Sequence, residues 1–385
     1  MKILFATDCY IFQTGGITTV ILALENALRQ MGHEVKVLAL SNSFRSYREG
    51  ERYFIRSFRF PDYPEHRATF AVHDPLLEEL TAWKPDVVHI HTEFTAGHLG
   101  KIIARRTGAP VIMTNHTNFE YFNFGRFRDT AIVKKAANIF GKKVYKDANM
   151  VIVPSEKARA FPHITPVADK VKVVPNGVTL ERYRIPVSSD ELNDLFRQAG
   201  FENNGYTLVM VTRLSPEKNV MEILRYMPGL LSELPKVQLL IVGDGPQHKK
   251  LKDFCSENHL DRHVHFTGRI PPEDVYRYYR MGDLYVSAST FELHSMSYLE
   301  AMTCGLPLVC REDQSLIGVL QDGSNGFIYR NEQEYIDGIS RILQDPALKE
   351  QMSRQSMLQA EAFSDRRFAE RMLELYHAAN TYCPQ

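Results

Sequence analysis

The 385-residue sequence contains few cysteines and lacks a long apolar run. Its five cysteines are an odd number without a Cys-x-x-Cys pair, which argues against both a disulfide framework and a structural zinc site. Because no run approaches about eighteen apolar residues, no segment is predicted to span a bilayer. The start, MKILFATDCY, predicts a β-strand and lacks the features of a signal peptide. We therefore expect a protein of the reducing cytoplasm that associates peripherally with the inner face of the plasma membrane.

Two motifs of other enzyme classes are also missing. No G-x-G-x-x-G follows the first predicted strand, which counts against a nicotinamide dehydrogenase. No Asp-x-Asp pair occurs, so the sequence favours a site without a metal or other cofactor, in which fixed cations replace a divalent ion.

Length and composition indicate a globular protein of two domains. A chain of 385 residues exceeds what one hydrophobic core usually serves. Hydrophobic residues make up 44% and charged residues 24%, as in an ordinary globular protein.

The zero net charge conceals an asymmetry between the two halves. Residues 1–172 contain 24 Lys and Arg against 17 Asp and Glu, whereas the remainder contains 22 against 29. Most of the first surplus lies in residues 100–146, where ten Lys and Arg accompany only Glu120 and Asp129. No nucleic-acid partner is expected.

A basic amphipathic helix is predicted over residues 130–148. At about 100° per residue, Lys135, Lys142 and Lys146 share one side of it. The opposite side would carry Val133, Ala136, Ala137, Phe140 and Val144. One interpretation is the solvated face of a core-packed helix. The other is a dock for anionic lipid, at about 1 kcal/mol for each basic residue near the membrane. This surface would include Glu120, Arg126, Arg128 and the aromatic residues between them.

Apolar strands alternate with helical stretches from end to end, which is typical of doubly wound parallel sheets in an α/β protein. Strands are predicted in the first half at KILFAT, HEVKVLAL, PDVVHIHT, PVIMTNHT, MVIVPS and KVKVVPNG. In the second half they recur at YTLVMVTR, VQLLIVGDG, HVHFTGR, DLYVSAS and LPLVCR. The polar segment 178–206 between the two series is predicted to be the interdomain linker. Two such domains would face each other across a cleft, with ligands beyond the carboxyl ends of the strands.

Four polar side chains after predicted strands suggest a site for a nucleoside diphosphate sugar. Arg213 and Lys218 follow one strand and would suit two linked phosphates. Glu292 and Glu300 flank a helix start, where they would serve hydroxyl groups. The intervening residues would offer backbone N–H groups to an anion, namely Leu293, His294, Ser295, Met296 and Ser297. Gly15 and Gly16 precede another helix, where a plain turn is the alternative to a ligand contact.

The ordered set of motifs resembles the retaining glycosyltransferases of family 4. It consists of Gly15-Gly16, VTRLSPEKN, IVGDGP, HFTGRI and the Glu-x7-Glu stretch followed by AMTCGLPLV. The resemblance implies a GT-B fold of two Rossmann-like domains. It divides the chain into an acceptor domain at 1–178, a donor domain at 179–365 and a closing helix at 366–385 that returns to the first domain.

The same resemblance implies roles for individual residues. Arg213 and Lys218 would neutralise the diphosphate, Glu292 would bind the donor sugar, and Glu300 the ribose. His116 would reach the sugar from the first domain, and Gly243 and Arg269 would line the donor site. Ser295 is a departure, because most relatives have glycine there, and this leaves the donor sugar open.

The stretch HTNFEYF at 116–122 resembles the diacylglycerol glucosyltransferases. It implies a retaining, metal-independent hexosyltransferase that uses a nucleotide sugar, UDP-glucose, and a membrane lipid such as diacylglycerol. The alternatives are another donor, GDP-mannose or UDP-N-acetylglucosamine, with a soluble or phospholipid acceptor, and a nucleotide-sugar epimerase. The sequence does not define the oligomeric state.

Overall fold

The computed structural model describes residues 1–11, 15–60, 63–117, 131–201 and 205–381, with only the backbone at 60, 63–66, 133, 134, 137 and 381. The chain divides into two compact units. Unit 1 comprises Met1–Gly177 and Asp365–Gln385, and unit 2 comprises Val178–Ser364.

Unit 1 contains ten strands among the residues that the structure describes. They are β1 (Lys2–Thr7), β2 (Glu34–Leu40), β3 (Tyr47–Glu49), β4 (Arg52–Ile55), β5 (Phe58–Phe60), β6 (Tyr63–Ala68), β7 (Val87–Ile90), β8 (Val111–Thr114), β9 (Met150–Val153) and β10 (Val171–Val173). Eight of them form one sheet in the order β10-β9-β8-β7-β1-β2-β4-β3, parallel except for the β3–β4 pair. The other two pair as an antiparallel hairpin.

Five helices of unit 1 precede unit 2 in the described chain, and two of them show clear capping chemistry. They are α1 (Gly16–Gln30), α2 (Pro75–Trp83), α3 (Thr95–Thr107), α4 (Ala131–Lys146) and α5 (Glu156–Arg159). Asp74 caps α2 by accepting a hydrogen bond from Leu76 N, and Pro75 occupies the first helical position. Helix α3 ends at Gly108, which adopts the left-handed conformation at φ 76°.

Unit 2 has a six-stranded parallel sheet in the part of the chain that is described. Its strands are β11 (Tyr206–Val211), β12 (Val237–Val242), β13 (Val264–Gly268), β14 (Leu284–Ser287), β15 (Leu308–Arg311) and β16 (Gly326–Tyr329). Their order is β13-β12-β11-β14-β15-β16. The helices are α6 (Leu180–Tyr183), α7 (Ser189–Ala199), α8 (Val220–Glu233), α9 (His248–Glu257), α10 (Val275–Tyr279), α11 (Met296–Thr303), α12 (Glu332–Gln344) and α13 (Pro346–Ala360).

The last helix, α14 (Asp365–Thr381), belongs to unit 1. Its Phe368, Met372 and Tyr376 are buried, as their apolar spacing predicts. A side chain at Gly177 would lie within 2.6 Å of Phe368 Cβ, so glycine at 177 permits this close packing. Tyr376 reaches His89 of β7, with 2.7 Å between its hydroxyl and His89 Nδ1.

Both sheets contain a point at which the strand order reverses. In unit 2 the chain runs outward from β11 through β12 to β13 and then returns to the other side of β11 as β14. In unit 1 the same reversal lies between β1 and β7. Ligands of open α/β sheets bind beyond the carboxyl ends of strands at such reversals.

The predicted fold class is confirmed, and each of the eleven predicted strands overlaps an observed one. The sequence analysis missed β3 to β6 and β16. Each of β3 to β6 contains an arginine and β16 begins at a glycine, so none is apolar from end to end. The predicted linker at 178–206 is wrong. Its described part carries α6 and α7 and belongs to unit 2, with Leu180 and Tyr183 buried.

Among the described helices, none has the length and hydropathy that crossing a membrane requires.

Candidate active site

The loops after β11 and β12 are bonded to each other in unit 2. Leu214 N donates to Asp244 O at 3.1 Å, and Gln247 N donates to Leu214 O at 2.9 Å. Gly243 has φ 136°, and a Cβ there would lie 2.0 Å from Thr212 O. Only glycine allows this approach, and it fixes the strand end that precedes Arg213.

Lys218 and Glu292 form an ion pair across the strand reversal of unit 2. Lys218 ends the 3-10 turn Pro216–Lys218 after β11, and Glu292 lies in the loop after β14. The Lys218 Nζ donates to Glu292 Oε1 at 2.5 Å, and the side chains are 23% and 14% exposed. The structure therefore brings together two of the four predicted residues. Arg213 is on the same loop as Lys218 and is exposed.

The start of α11 is fixed by a buried tyrosine of β14. The Tyr285 hydroxyl donates to Ser297 Oγ at 3.0 Å and lies 3.3 Å from Val211 O at the end of β11. Ser295 is the N-cap residue of α11, and its hydroxyl lies 3.0 Å from that of Ser297. Ser295 has φ −73°, so its backbone does not require a glycine. Leu293 is half-buried, whereas His294 and Met296 are buried in the same segment.

Glu300 is buried in a pocket lined by tyrosines. Its Oε2 accepts a hydrogen bond of 2.8 Å from the Tyr279 hydroxyl, and Tyr183 of α6 is a second hydrogen-bond partner. Burial raises the pKa of Glu300, and the tyrosine hydrogen bonds oppose that shift. The predicted Glu-x7-Glu pair thus has two environments, with Glu292 ion-paired and Glu300 enclosed.

Three further predicted donor residues lie after strand ends. Gly15 is the N-cap of α1, has an extended φ of 168°, and would point a Cβ into open space. Gly16 begins the same helix. Arg269 is exposed after β13 and lowers the pKa of Asp244, although the hydrogen bond from His248 to that carboxylate contributes more.

In unit 1, His116 follows β8 and stacks against buried histidines. The His91 and His116 rings lie 5.8 Å apart at 18°, and the His89 and His91 rings lie 3.9 Å apart. Among the described residues, neither ring nitrogen of His91 has a hydrogen-bond partner, and His116 Nε2 has none either. Burial lowers the pKa of His116 to about 4 and of His89 to about 3. All three rings are therefore neutral at physiological pH.

The sequence analysis missed two acidic residues at the strand reversal of unit 1. Asp8 follows β1, and its carboxylate accepts hydrogen bonds from the Thr92 and Thr95 hydroxyls and from Ala96 N at 2.6–2.9 Å. Glu93 follows β7 and is 5% exposed. Their positions after strand ends could have indicated them, since that criterion selected Arg213 and Lys218.

The predicted orientation of α4 is partly wrong. Lys135, Lys142 and Lys146 are exposed, but so are Ala136 and Phe140 of the side that was predicted to be apolar. Ile132 and Ile139, which are 80% and 58% exposed, lie among the lysines. The buried side contains Gly141 and Tyr145 instead. The predicted acceptor residues Glu120, Arg126 and Arg128 lie outside the described residues.

No group of three or more His, Cys, Asp or Glu side chains that could hold a metal ion occurs in the described parts of the chain.

Comparison with known proteins agrees with this arrangement. Residues 14–182 match the model of "Glycosyltransferase Family 4", and residues 193–358 match that of "Glycosyl transferases group 1". The alpha-monoglucosyldiacylglycerol synthase of Streptococcus pneumoniae is 29% identical over 98% of this chain and 85% of that protein. The enzyme of the same name from Acholeplasma laidlawii is 25% identical over 98% of this chain and 96% of its own length.

Solved structures show the same fold. Anabaena HepE in complex with UDP-glucose has a TM-score of 0.70 at 19% identity and covers 98% of this chain and 100% of that one. Sucrose-phosphate synthase from Thermosynechococcus elongatus has a TM-score of 0.76 at 19% identity, with full coverage of both chains. The fold is that of the GT-B glycosyltransferases, and the chain belongs to glycosyltransferase family 4.

We predict that His116 titrates far below an ordinary histidine. Its pKa of about 4 follows from burial, which disfavours the imidazolium. In NMR spectra recorded from pH 3.5 to 8, the ring C–H signals of His116 should stay constant above about pH 5.5. The His116→Gln variant assigns the signals. A titration midpoint near 6.5 would contradict the prediction.

Proposed function

We propose that the chain is a retaining, metal-independent glucosyltransferase that transfers glucose from UDP-glucose to a hydroxyl of diacylglycerol at an anionic membrane surface. The Lys218–Glu292 pair at the strand reversal of unit 2 is the observation that carries the proposal. The two alpha-monoglucosyldiacylglycerol synthases, similar over 98% of the chain, support the choice of sugar and acceptor.

The donor diphosphate would bind beside Lys218, Arg213 and the N-terminus of α11. Lysine and arginine supply charge-assisted hydrogen bonds to phosphate oxygens, and the helix start adds backbone N–H groups. Lys218 Nζ now donates to Glu292, so a bound phosphate would share it with that carboxylate. Glu292 would then accept hydrogen bonds from sugar hydroxyls while it stays paired with the lysine.

Glu300 would bind the ribose from its tyrosine-lined pocket. A carboxylate offers about four acceptor positions. Tyr279 and Tyr183 therefore leave acceptor capacity for ribose hydroxyls. The tyrosines would also hold the carboxylate in one orientation, which favours a specific contact over a mobile one.

The proposed reaction exchanges one bond at the anomeric carbon for another on the same face of the sugar. The bond between the anomeric carbon and the β-phosphate oxygen breaks, and the acceptor oxygen bonds to that carbon. The acceptor proton passes to the departing phosphate oxygen, so the products are UDP and the glucosyl lipid. Arg213 and Lys218 would stabilise the charge that develops on the diphosphate.

Helix α4 would provide the contact with anionic lipid. Lys135, Lys142, Lys143 and Lys146 are exposed on it, together with Ile132 and Ile139. Exposed isoleucines among lysines suit an interface where apolar side chains enter the lipid and ammonium groups remain at the headgroups. This favours the lipid interpretation over a merely solvated face, which would lack exposed apolar side chains.

Product analysis tests the reaction. The chain, UDP-glucose and diacylglycerol in phosphatidylglycerol vesicles should yield UDP and an α-glucosyl lipid, with the configuration read from the anomeric proton signal. Activity should persist in EDTA. A β-linked product, a requirement for a divalent ion, or an altered sugar without lipid would contradict the proposal. The last result would indicate an epimerase, and parallel reactions with GDP-mannose and UDP-N-acetylglucosamine test the donor.

Lys218→Ala should lower kcat/KM by about 10- to 150-fold, because a hydrogen bond to a charged group contributes about 1.5–3 kcal/mol. Lys236→Ala is the matched control, since Lys236 is exposed and directly precedes β12, at the edge of the sheet opposite the carboxyl ends of the strands. It should retain wild-type kcat/KM. An unchanged kcat/KM in Lys218→Ala would refute the role of this lysine.

Replacing Lys135, Lys142 and Lys146 together by Gln should abolish sedimentation with anionic vesicles. Loss of three basic residues removes about 3 kcal/mol of attraction to the anionic surface. The control replaces three exposed lysines of α9 in unit 2, Lys249, Lys250 and Lys252. Equal loss of binding in both triple variants would indicate nonspecific attraction, and retained binding in the first would refute the lipid contact.

A further inference from the structure

Glu93 is the centre of a buried hydrogen-bonded cluster in unit 1 that the reaction described above does not use. Its Oε1 accepts a short hydrogen bond from the Tyr145 hydroxyl and a longer one of 3.4 Å from Asn115 Nδ2. Its Oε2 lies 3.5 Å from the Thr117 hydroxyl. Asn115 Nδ2 also donates to Thr117 O at 2.8 Å. Glu93 therefore contacts the residues on both sides of His116.

The same cluster fixes helix α4. Tyr145 lies on the buried side of α4 and is fully buried. Phe140 of α4 stacks on Phe94, which directly follows Glu93, with ring centroids 6.2 Å apart. Lys101 Nζ donates to Val144 O at 2.6 Å. The helix that carries the exposed lysines is thus bonded to the segment after β7, and through Glu93 to the segment of His116.

Burial, with a smaller contribution from the charge of Asp8, favours the neutral form of Glu93. Burial raises the pKa of Glu93 to about 7, and the carboxylate of Asp8 adds to that rise, while Tyr145 and Asn115 oppose it. Cys9 and the ring of His163 also face the cluster. Burial raises the pKa of Cys9 to about 12 and lowers that of His163 to about 4, so neither changes charge near neutral pH. No lysine or arginine of the described residues forms an ion pair with Glu93.

We propose that Glu93, in its protonated form, is a positioning residue that holds helix α4 and the His116 segment in the arrangement required for transfer. A protonated carboxyl can accept from Tyr145 at Oε1 and donate from Oε2 to the Thr117 hydroxyl. Ionisation removes that donor and leaves a charge beside Asp8 in a buried site. The hydrogen-bonded arrangement of α4 and the His116 segment stabilises the protonated form of Glu93, so ionisation of Glu93 weakens that arrangement. The inference rests on the proposed lipid glucosyl transfer, whose rate is one of its two readouts.

The first test is the pH profile of kcat/KM with phosphatidylglycerol vesicles that contain diacylglycerol. A group with a pKa of about 7 is about 90% protonated at pH 6 and about 10% protonated at pH 8. Wild-type kcat/KM should therefore fall by about tenfold over this interval. Glu93→Gln keeps a neutral side chain of the same shape, so its kcat/KM should change less than twofold.

Two variants separate this role from a structural one. Tyr145→Phe removes a hydrogen bond that favours the ionised form, so the fall should move to higher pH. Asp8→Asn removes the neighbouring carboxylate that raises the pKa of Glu93, so the fall should move to lower pH without disappearing. A wild-type profile that does not fall, a uniform loss in Glu93→Gln at every pH, or disappearance of the fall only in Asp8→Asn would overturn the proposal.

Thermal unfolding provides a readout that needs no transfer activity. Since the pKa of Glu93 is higher in the folded chain than in the unfolded one, the folded state binds this proton more tightly. Wild type should therefore lose Tm relative to Glu93→Gln as the pH rises from 5 to 8. If no glucosyl transfer is detected but the Tm difference follows this pH trend, the proposed function is wrong and the assignment of a protonated Glu93 is retained. If the Tm difference stays constant, the assignment to Glu93 fails.

Discussion

The parallel order of the strands is the constraint on which the polar clusters of both units depend. Every parallel strand ends at the same edge of its sheet, so side chains far apart in the chain meet wherever the strand order reverses. Lys218 and Glu292 are 74 residues apart and form an ion pair for this reason. Asp8 and Glu93 occupy the equivalent positions beside β1 and β7 in unit 1. The same topology thus produces a cationic site in one unit and an acidic cluster in the other.

The apolar pattern of the sequence predicted those strands whose burial depends mainly on their own residues. Buried parallel strands are continuous apolar runs, and the eleven strands of this kind were found. The ion pair followed from residue types after two such strands. The strands β4 and β16 were missed because β4 begins at Arg52 and β16 at Gly326, so neither is apolar from end to end. The segment 178–206 was misread because α7 has no buried residue, so its sequence reads as a polar connection.

Tertiary partners explain the remaining differences. Glu300 looks like a surface residue of a helix until Tyr279 and Tyr183 enclose it, and Tyr183 is 117 positions away. Glu93 depends on Tyr145, which is 52 residues later in the chain. The rotation of α4 depends on the same tyrosine, because a helix with apolar residues all round can bury more than one side. None of these pairings leaves a trace in the spacing of one sequence.

Helix α14 sets the order in which the chain can complete its structure during synthesis. Residues 1–177 are synthesised first, yet the face of unit 1 that Phe368 and Tyr376 cover stays open until α14 has been synthesised. Unit 2, by contrast, is continuous from Val178 to Ser364 and is available in full before them. Unit 1 is therefore completed after unit 2, and the apolar surface that Phe368 and Tyr376 cover stays open while residues 178–364 are made.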